Sequence, residues 1–160
     1  MKMINHANKN YIETAVINYS DTLFRVAFQY VKNRADAEDV LQEVFLTLFK
    51  KPPQLSVDDE KLKFWLIRVT INKSKDFLRA KKRRREKLYD WQPFEHEHDF
   101  SDVFETIDKL SETDKNALYL HYYEGYTAKE IAQILGGTER AITKRISRAR
   151  IKLKDLLKGE

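Results

Sequence analysis

Basic side chains at the C-terminal end of the chain have the spacing expected of a surface that contacts nucleic acid. In the stretch TERAITKRISRARIKL, which begins at Thr138, the residues Arg140, Thr143, Lys144 and Arg148 fall outside the stripe of apolar positions. Residues near the start of such a helix reach base edges, and later basic residues contact phosphate. This segment therefore predicts DNA binding.

A second basic stretch lies in the middle of the chain, in EKLKFWLIRVTINKSKDFLRAKKRRREK. Its first half is apolar on nearly all sides, as in a helix that is packed by several neighbours. Its second half is dense in Lys and Arg, which repel one another unless solvent or a polyanion screens them. A solvated charged surface and a track for nucleic acid are both open interpretations, with Asn72 and Lys73 placed to touch bases.

Acidic side chains cluster in NRADAEDVLQEVFLTLFKKPP, where a hydrophilic helix face has on or near it the residues Asp36, Glu38, Asp39, Gln42 and Glu43. We expect Asp36 to be the N-cap and Asp39 to be the third helical residue, where the helix dipole favours negative charge. The face is then either a capped, solvated surface or a docking surface. A third alternative is an enzyme that acts on DNA with magnesium held by Asp36, Asp39 and Glu43.

Other groups of reactive side chains are sparse. His96-Glu97-His98 lies in a stretch without clean periodicity, where a linker is a better interpretation than a metal site, and His121 is interpreted as a packed helix residue. The sequence contains no evident nucleophile–base–acid set and no glycine-rich phosphate loop. We therefore expect no catalysis, no cofactor, no metal and no small-molecule substrate.

Composition indicates that helices position these side chains. The 160 residues include four glycines, three prolines and no cysteine, which favours an all-α chain and excludes a disulfide framework. The formal net charge of +5 permits a polyanionic partner without requiring one. The N-terminus lacks the apolar core of a signal peptide, and no apolar run is long enough to cross a bilayer. We expect a cytoplasmic protein without membrane insertion.

The pattern along the chain predicts two small helical domains joined by a flexible acidic linker. We place the first domain at 8–87, the linker at 88–102 and the second domain at 103–158. Ser111 with Asp114 resembles a capping box, and Thr127 with Glu130 repeats one before the turn at Gly136-Gly137. Helix, short turn and helix in this order predict a helix-turn-helix. A stand-alone helix-turn-helix regulator is one alternative.

The whole chain resembles the extracytoplasmic-function class of bacterial RNA polymerase sigma factors. Four segments in the same order and spacing carry the resemblance: DAEDVLQEVFLTLF, FWLIRVTINKSKDFLRAKKRR, LSETDKNALYLHYYEGYTAKEIAQIL and TERAITKRISRARIKL. Three positions depart from the family pattern, with Leu62 in place of an aromatic residue, Gly137 in place of an apolar residue and Ala141 in place of a threonine. We expect the Gly137 change to remove a packing contact between the two helices that the turn joins.

The resemblance implies roles for the first domain, which would be sigma domain 2. The helix Asp36–Phe49 would dock on the clamp helices of the polymerase β′ subunit. The segment from Trp65 to Arg84 would recognise and help open the −10 element, with extruded bases held near it and near the loop Lys51–Lys61. The docking residues would be Asp36, Asp39, Gln42, Glu43 and Leu46, and the −10 residues would be Asn72, Lys73, Asp76, Arg79, Lys82, Arg83 and Arg84.

The resemblance also assigns the second domain, sigma domain 4, to the β flap and to the −35 element. Its DNA-binding residues would be Thr138, Arg140, Thr143, Lys144, Arg145 and Arg148. The linker would thread through the basic channel that later holds RNA. Its acidic residues would give it the same sign of charge as that RNA. The partners implied are core RNA polymerase, promoter DNA and an anti-sigma factor.

Overall fold

The computed structural model describes residues 6–87 and 106–159. Within those ranges the regular structure is helical, and no strand is present. The helices, numbered here along the chain, are α1 (His6–Val31), α2 (Arg34–Lys50), α3 (Glu60–Lys87), α4 (Glu112–Tyr122), α5 (Ala128–Leu135) and α6 (Glu139–Lys158). Residues 106–108 are also helical. None of the helices in the described part of the chain is long and apolar enough to cross a membrane.

Contacts divide the chain into two compact units, unit 1 (Met1–Trp91) and unit 2 (Gln92–Glu160). The prediction of an all-α fold with two helical domains is confirmed. The domain limits 8–87 and 103–158 stay predictions, and the linker 88–102 lies outside the described residues, as does His96-Glu97-His98.

Unit 1 is built from α1, α2 and α3, each of which packs against the other two. Leucine, valine and isoleucine side chains at helical spacing are removed from water, which is the main favourable contribution to this fold. Two polar side chains of α3 are also buried, and each donates its hydroxyl to the carbonyl four residues earlier, Thr70 to Leu66 at 2.8 Å and Ser74 to Thr70 at 2.7 Å. The apolar core includes Leu23, Val26, Val40, Val44, Leu48, Leu62, Leu66 and Ile67.

The predicted N-cap of α2 was wrong by three residues. Asn33, in extended conformation, is the N-cap, and its side-chain oxygen accepts a hydrogen bond from the backbone N–H of Asp36 at 3.0 Å. Asn and Asp cap helices equally well, so sequence alone did not separate the two. The turn that ends α1 decides between the two candidate caps. Lys32 has a φ of 52°, which ends α1, and the next residue, Asn33, is then in position to begin α2. Asp36 is the third helical residue, where the helix dipole still favours its charge.

Unit 2 is built from α4, α5 and α6, and α6 packs against both of the others. The predicted caps are confirmed: Ser111 and Thr138 cap α4 and α6, and Thr127 and Glu130 form a complete capping box at the start of α5. The helix-turn-helix prediction is confirmed. Helical spacing in the sequence predicts that Tyr122 and Leu157 continue the apolar sides of α4 and α6. That prediction was wrong, because both side chains are exposed. The core contains Ala117, Leu118, Leu120, Ile131, Ile134, Ile142, Ile146 and Ala149.

The turn between α5 and α6 requires glycine for a conformational reason. Gly136 and Gly137 have φ of 87° and 94°, a region that residues with a Cβ rarely adopt. A Cβ built at Gly137 has no atom within 4 Å, so the position is open space. Backbone conformation therefore accounts for Gly137 where the sequence suggested a lost packing contact.

Candidate nucleic-acid interface

The outer face of α6 presents the predicted DNA-contacting side chains in unit 2. Arg140, Thr143 and Lys144 are exposed, while the buried stripe of the helix lies on the opposite side. Thr138 is the N-cap, and its side chain accepts from the backbone N–H of Ala141 at 3.2 Å. Its hydroxyl is thus committed to the first turn of α6.

Arg145 and Arg148 differ from this exposed set. Arg145 is half-buried and lies about 140° around the helix from Arg140, towards the packed side. Arg148 is exposed over 58% of its side chain, but its guanidinium donates to Oδ1 of Asp114 at 2.9 Å. The guanidinium group of Arg148 is therefore held by a buried carboxylate of unit 2.

Asp114 is the buried partner of Arg148, and the sequence did not reveal this pairing. Its side chain is 1% exposed, it is the third residue of α4, and Lys152 Nζ lies 3.8 Å from Oδ2. Burial raises the pKa of Asp114, but hydrogen bonds from Arg148 and Ser111 and the charges of Arg148 and Lys152 outweigh it, so the pKa is below the usual 3.8. Asp114 is therefore a carboxylate that holds α4 and α6 together. Its position in a capping box gave the only sequence signal.

In unit 1, the candidate DNA face is one side of α3. Asn72, Asp76, Arg79 and Arg83 follow at intervals of four, three and four residues, which places them on one stripe of the helix. All four are exposed, and Arg79 lies 3.4 Å from Asp76 in an ion pair that solvent screens. A neutral amide and a carboxylate thus begin this stripe, and two cationic side chains follow them.

The remaining predicted −10 residues flank that stripe. Lys82 and Arg84 are exposed on either side of it, and Lys73 is half-buried. Five consecutive basic residues, 81–85, make the C-terminal part of α3 the most positive helical segment of unit 1. Such a segment attracts a phosphate backbone without reading its sequence.

The acidic face predicted on α2 consists of four exposed residues and one that is paired. Asp39, Gln42, Glu43 and Leu46 are exposed and recur every three or four residues, which places them on one side of the helix. Within the described part of the chain, the side chains of Asp39, Gln42 and Glu43 make no hydrogen bond or ion pair. The face therefore combines carboxylates with an exposed apolar side chain, to which Phe49 adds a second.

Asp36 departs from this face because it is bound inside unit 1. Its Oδ2 accepts from Lys81 Nζ at 2.7 Å, and both side chains are mostly buried. The pair joins the start of α2 to the basic part of α3. Among the described residues, no group of three or more Asp, Glu or His is arranged to hold a metal ion. The magnesium alternative groups Asp36 with Asp39 and Glu43, whereas the structure pairs the carboxylate of Asp36 with Lys81.

Family models match both units. The model for sigma-70 region 2 matches residues 16–84, and that for sigma-70 region 4 matches residues 101–153. Among similar proteins, RNA polymerase sigma factor SigV of Bacillus subtilis is 27% identical over 146 residues, which covers 88% of this chain and 87% of SigV. RNA polymerase sigma factor SigZ of the same organism is 34% identical over 137 residues, which covers 81% of this chain and 77% of SigZ.

Solved structures share the fold. CnrH, solved in complex with the cytosolic domain of CnrY, superposes with a TM-score of 0.69 at 24% identity, and the match covers 93% of this chain and 88% of CnrH. The sigma factor RpoE, in complex with the anti-sigma factor NepR from Bartonella quintana, gives a TM-score of 0.67 at 23% identity, with 89% of this chain and 94% of RpoE covered. Together with the matches over both units, these comparisons place the chain in the sigma-70 family, and it is an RNA polymerase sigma factor of the extracytoplasmic-function class.

Proposed function

We propose that this sigma factor divides its work among three helices: α2 docks on the β′ clamp helices, α3 recognises and opens the −10 element, and α6 reads the −35 element as duplex. The observation that carries this proposal is the separation of charge between α2 and the two basic helices α3 and α6. The side chains of Asp39, Gln42 and Glu43 on α2 have no partner among the residues that the structure describes, whereas the exposed basic residues there are concentrated on α3 and α6. A carboxylate face repels DNA and suits a protein partner, and the two basic helices suit DNA.

In this proposal, the chain itself catalyses no reaction. It lends core polymerase two separate DNA contacts, and captured bases together with backbone contacts offset the free energy of strand opening. Each contact is small, so tight and selective binding requires that the polymerase hold both at once. The site of action is the cytoplasm, where polymerase and chromosome meet. Unit 2 also contacts the β flap.

Run-off transcription tests the proposal directly. Purified chain and bacterial core polymerase are mixed with a library of promoter fragments, and transcript 5′ ends are sequenced with and without the chain. We expect new starts that share two sequence elements at a fixed separation. Identical start sites in both reactions would reject the proposal, and tight binding of duplex DNA by the chain alone, as a symmetric dimer, would favour the stand-alone regulator.

Matched charge reversals separate docking from general effects of charge. Glu43→Lys changes the exposed acidic face of α2, and Glu13→Lys changes an exposed carboxylate on α1 that lies 3.8 Å from Lys9 Nζ. We expect Glu43→Lys to weaken binding to core polymerase at least tenfold and Glu13→Lys to leave it within twofold. Equal weakening by both variants would mean that net charge, not the α2 face, sets the affinity.

We further propose that an anti-sigma factor holds the chain inactive. The similarity in fold to RpoE, which was solved with the anti-sigma factor NepR, supports this proposal. Purification of the tagged chain from its native host under unstressed growth, followed by mass spectrometry, is the test. We expect one protein at equal stoichiometry, and a pool free of any partner would contradict this mode of control.

A further inference from the structure

Two tyrosines of α1 bind the loop that connects α2 to α3. The hydroxyl of Tyr11 donates to the carbonyl oxygen of Leu55 at 3.0 Å, and the hydroxyl of Tyr19 donates to that of Val57 at 2.6 Å. These bonds span 44 and 38 residues of sequence. The other hydrogen bonds described for the loop join residues at most four apart, such as Leu55 N–H to Pro53 O at 2.8 Å. The tyrosines therefore attach the loop to the helices of unit 1.

Both hydroxyls are well suited to remain donors. Each lies in a partly buried environment, and burial raises the pKa of Tyr11 and of Tyr19 above the usual 10.0. The neighbouring carboxylates of Asp58 and Asp59 raise the pKa of Tyr19 further, against an opposing effect of Lys63. Both phenols are thus protonated throughout the physiological range, and the two bonds persist.

The two bonds also decide which side chains of the loop face solvent. Leu55 and Val57, whose carbonyls are held, are half-buried, whereas Gln54, Ser56 and Asp58 alternate with them and are exposed. An amide, a hydroxyl and a carboxylate are groups that hydrogen-bond to the edges of unpaired bases. Because the carbonyl oxygens of Leu55 and Val57 are held by α1, the two bonds help to fix the direction of the exposed side chains beside them.

We propose that Tyr11 and Tyr19 are positioning residues for promoter recognition: they hold the loop so that its outward polar side chains meet unpaired bases of the −10 element. This inference rests on the proposed function, in which bases extruded from that element lie near this loop and α3. Neither tyrosine contacts DNA. Their effect is on the selectivity of the loop for bases, not on the fold of unit 1.

The test uses the full chain, core polymerase and a promoter identified in the run-off experiment. Tyr11→Phe, Tyr19→Phe and the double variant each remove only hydroxyl oxygens, and Tyr123→Phe, on the exposed surface of unit 2, is the matched control. Initiation is measured on promoters with every single-base change in the −10 and −35 elements. We expect each loss to reduce discrimination at one or two −10 positions about fivefold, the value of one hydrogen bond. Discrimination at −35 should not change.

A purely structural role predicts something different, namely an equal loss of initiation on all promoters. That result, or a double variant with the −10 discrimination of the unchanged protein, would overturn the inference. Gln54→Ala provides a second test, because this exposed side chain lies outside the core and the variant should fold. We expect it to alter preference at the same −10 positions, and unchanged preference would also overturn the inference. Absence of any initiation by the unchanged protein would instead reject the proposed function.

Discussion

Replacement of Arg148 by alanine should destabilise unit 2, whereas replacement of Arg140 should not. Both are exposed arginines of α6 and both are assigned to DNA, so the sequence gives no reason to separate them. The structure does, because Arg148 donates to the buried Asp114 at 2.9 Å and Arg140 faces solvent. The pair of variants therefore distinguishes an arginine that acts only on DNA from one that also supports the domain.

The expected size of the effect follows from what Asp114 would lose. Without Arg148, a carboxylate that is 1% exposed would keep only the hydroxyl of Ser111 and the more distant charge of Lys152, which lies 3.8 Å from Oδ2. Oδ2 makes no hydrogen bond among the described residues. A hydrogen bond to a charged group contributes about 1.5–3 kcal/mol. The larger loss of about 3–5 kcal/mol for a fully buried pair is not expected, because Arg148 is itself 58% exposed. We expect a loss of about 2 kcal/mol.

Hydrogen exchange of the full chain, read by mass spectrometry, measures this loss in unit 2 alone. A change of about 2 kcal/mol should accelerate exchange of the most protected amides in α4–α6 about thirtyfold in Arg148→Ala. Unit 1 should be unaffected and serves as the internal reference. Arg140→Ala should exchange as the unchanged protein does, yet both variants should weaken initiation from promoters that depend on −35. Unchanged exchange in Arg148→Ala would refute the reasoning.

Acid provides an independent check on the same ion pair. The folded-state pKa of Asp114 is depressed below 3.8, so the pair stabilises unit 2 fully above that value and this stabilisation is lost as the pH falls through the folded pKa. Asp114→Asn has no such carboxylate. The difference in protection between the unchanged protein and Asp114→Asn should therefore be constant near neutral pH and should narrow below pH about 4. If this difference in protection became larger as the pH fell, the pKa of Asp114 would not be lowered by folding.

Three further predictions concern other parts of the chain. Asp36→Ala should lower the stability of unit 1 by about 1 kcal/mol in urea unfolding, because it removes a cross-helix ion pair, whereas Asp39→Ala should weaken binding to core polymerase without that loss. The double change Arg83→Gln and Arg84→Gln should make binding to promoter DNA less sensitive to salt. The slope of log affinity against log salt concentration should become smaller by about 1.4–1.8, the value for two phosphate contacts. An unchanged slope would mean that neither residue contacts DNA. Gly137→Ala should destabilise unit 2 by about 1–2 kcal/mol despite the open space around it, and a neutral or stabilising result would restore the idea of a missing packing contact.

Local patterns in the sequence predicted the helices of both units because the relevant interactions span only a few residues. The complete capping box of Thr127 and Glu130 is an example, since its two bonds join residues three apart. The same locality explains the error at α2. Asn33 and Asp36 are equally good caps, and the choice depends on the left-handed turn at Lys32 that ends the preceding helix.

The candidate site was less predictable because its decisive contacts join distant residues. Lys81 and Asp36 are 45 residues apart, Arg148 and Asp114 are 34 apart, and Tyr11 reaches Leu55 across 44. Periodicity places a charged residue on the outside of a helix but does not tell whether another helix supplies its partner. Asp36 was therefore assigned to the same face as Asp39, although its carboxylate is turned towards α3.

The ion pairs Asp36–Lys81 and Asp114–Arg148 have the same local arrangement, which explains why each unit has a carboxylate in the first turn of a helix. Asp36 and Asp114 are both the third residue of a helix, and each backbone N–H is accepted by the N-cap side chain. Glu130 occupies the third position of α5 as well, but its longer side chain returns to the backbone N–H of Thr127 at 2.8 Å. The shorter aspartates instead face a cation on the basic helix. Each acid is stabilised by its own helix dipole and offsets repulsion on α3 or α6, so the outward cations remain available for phosphate.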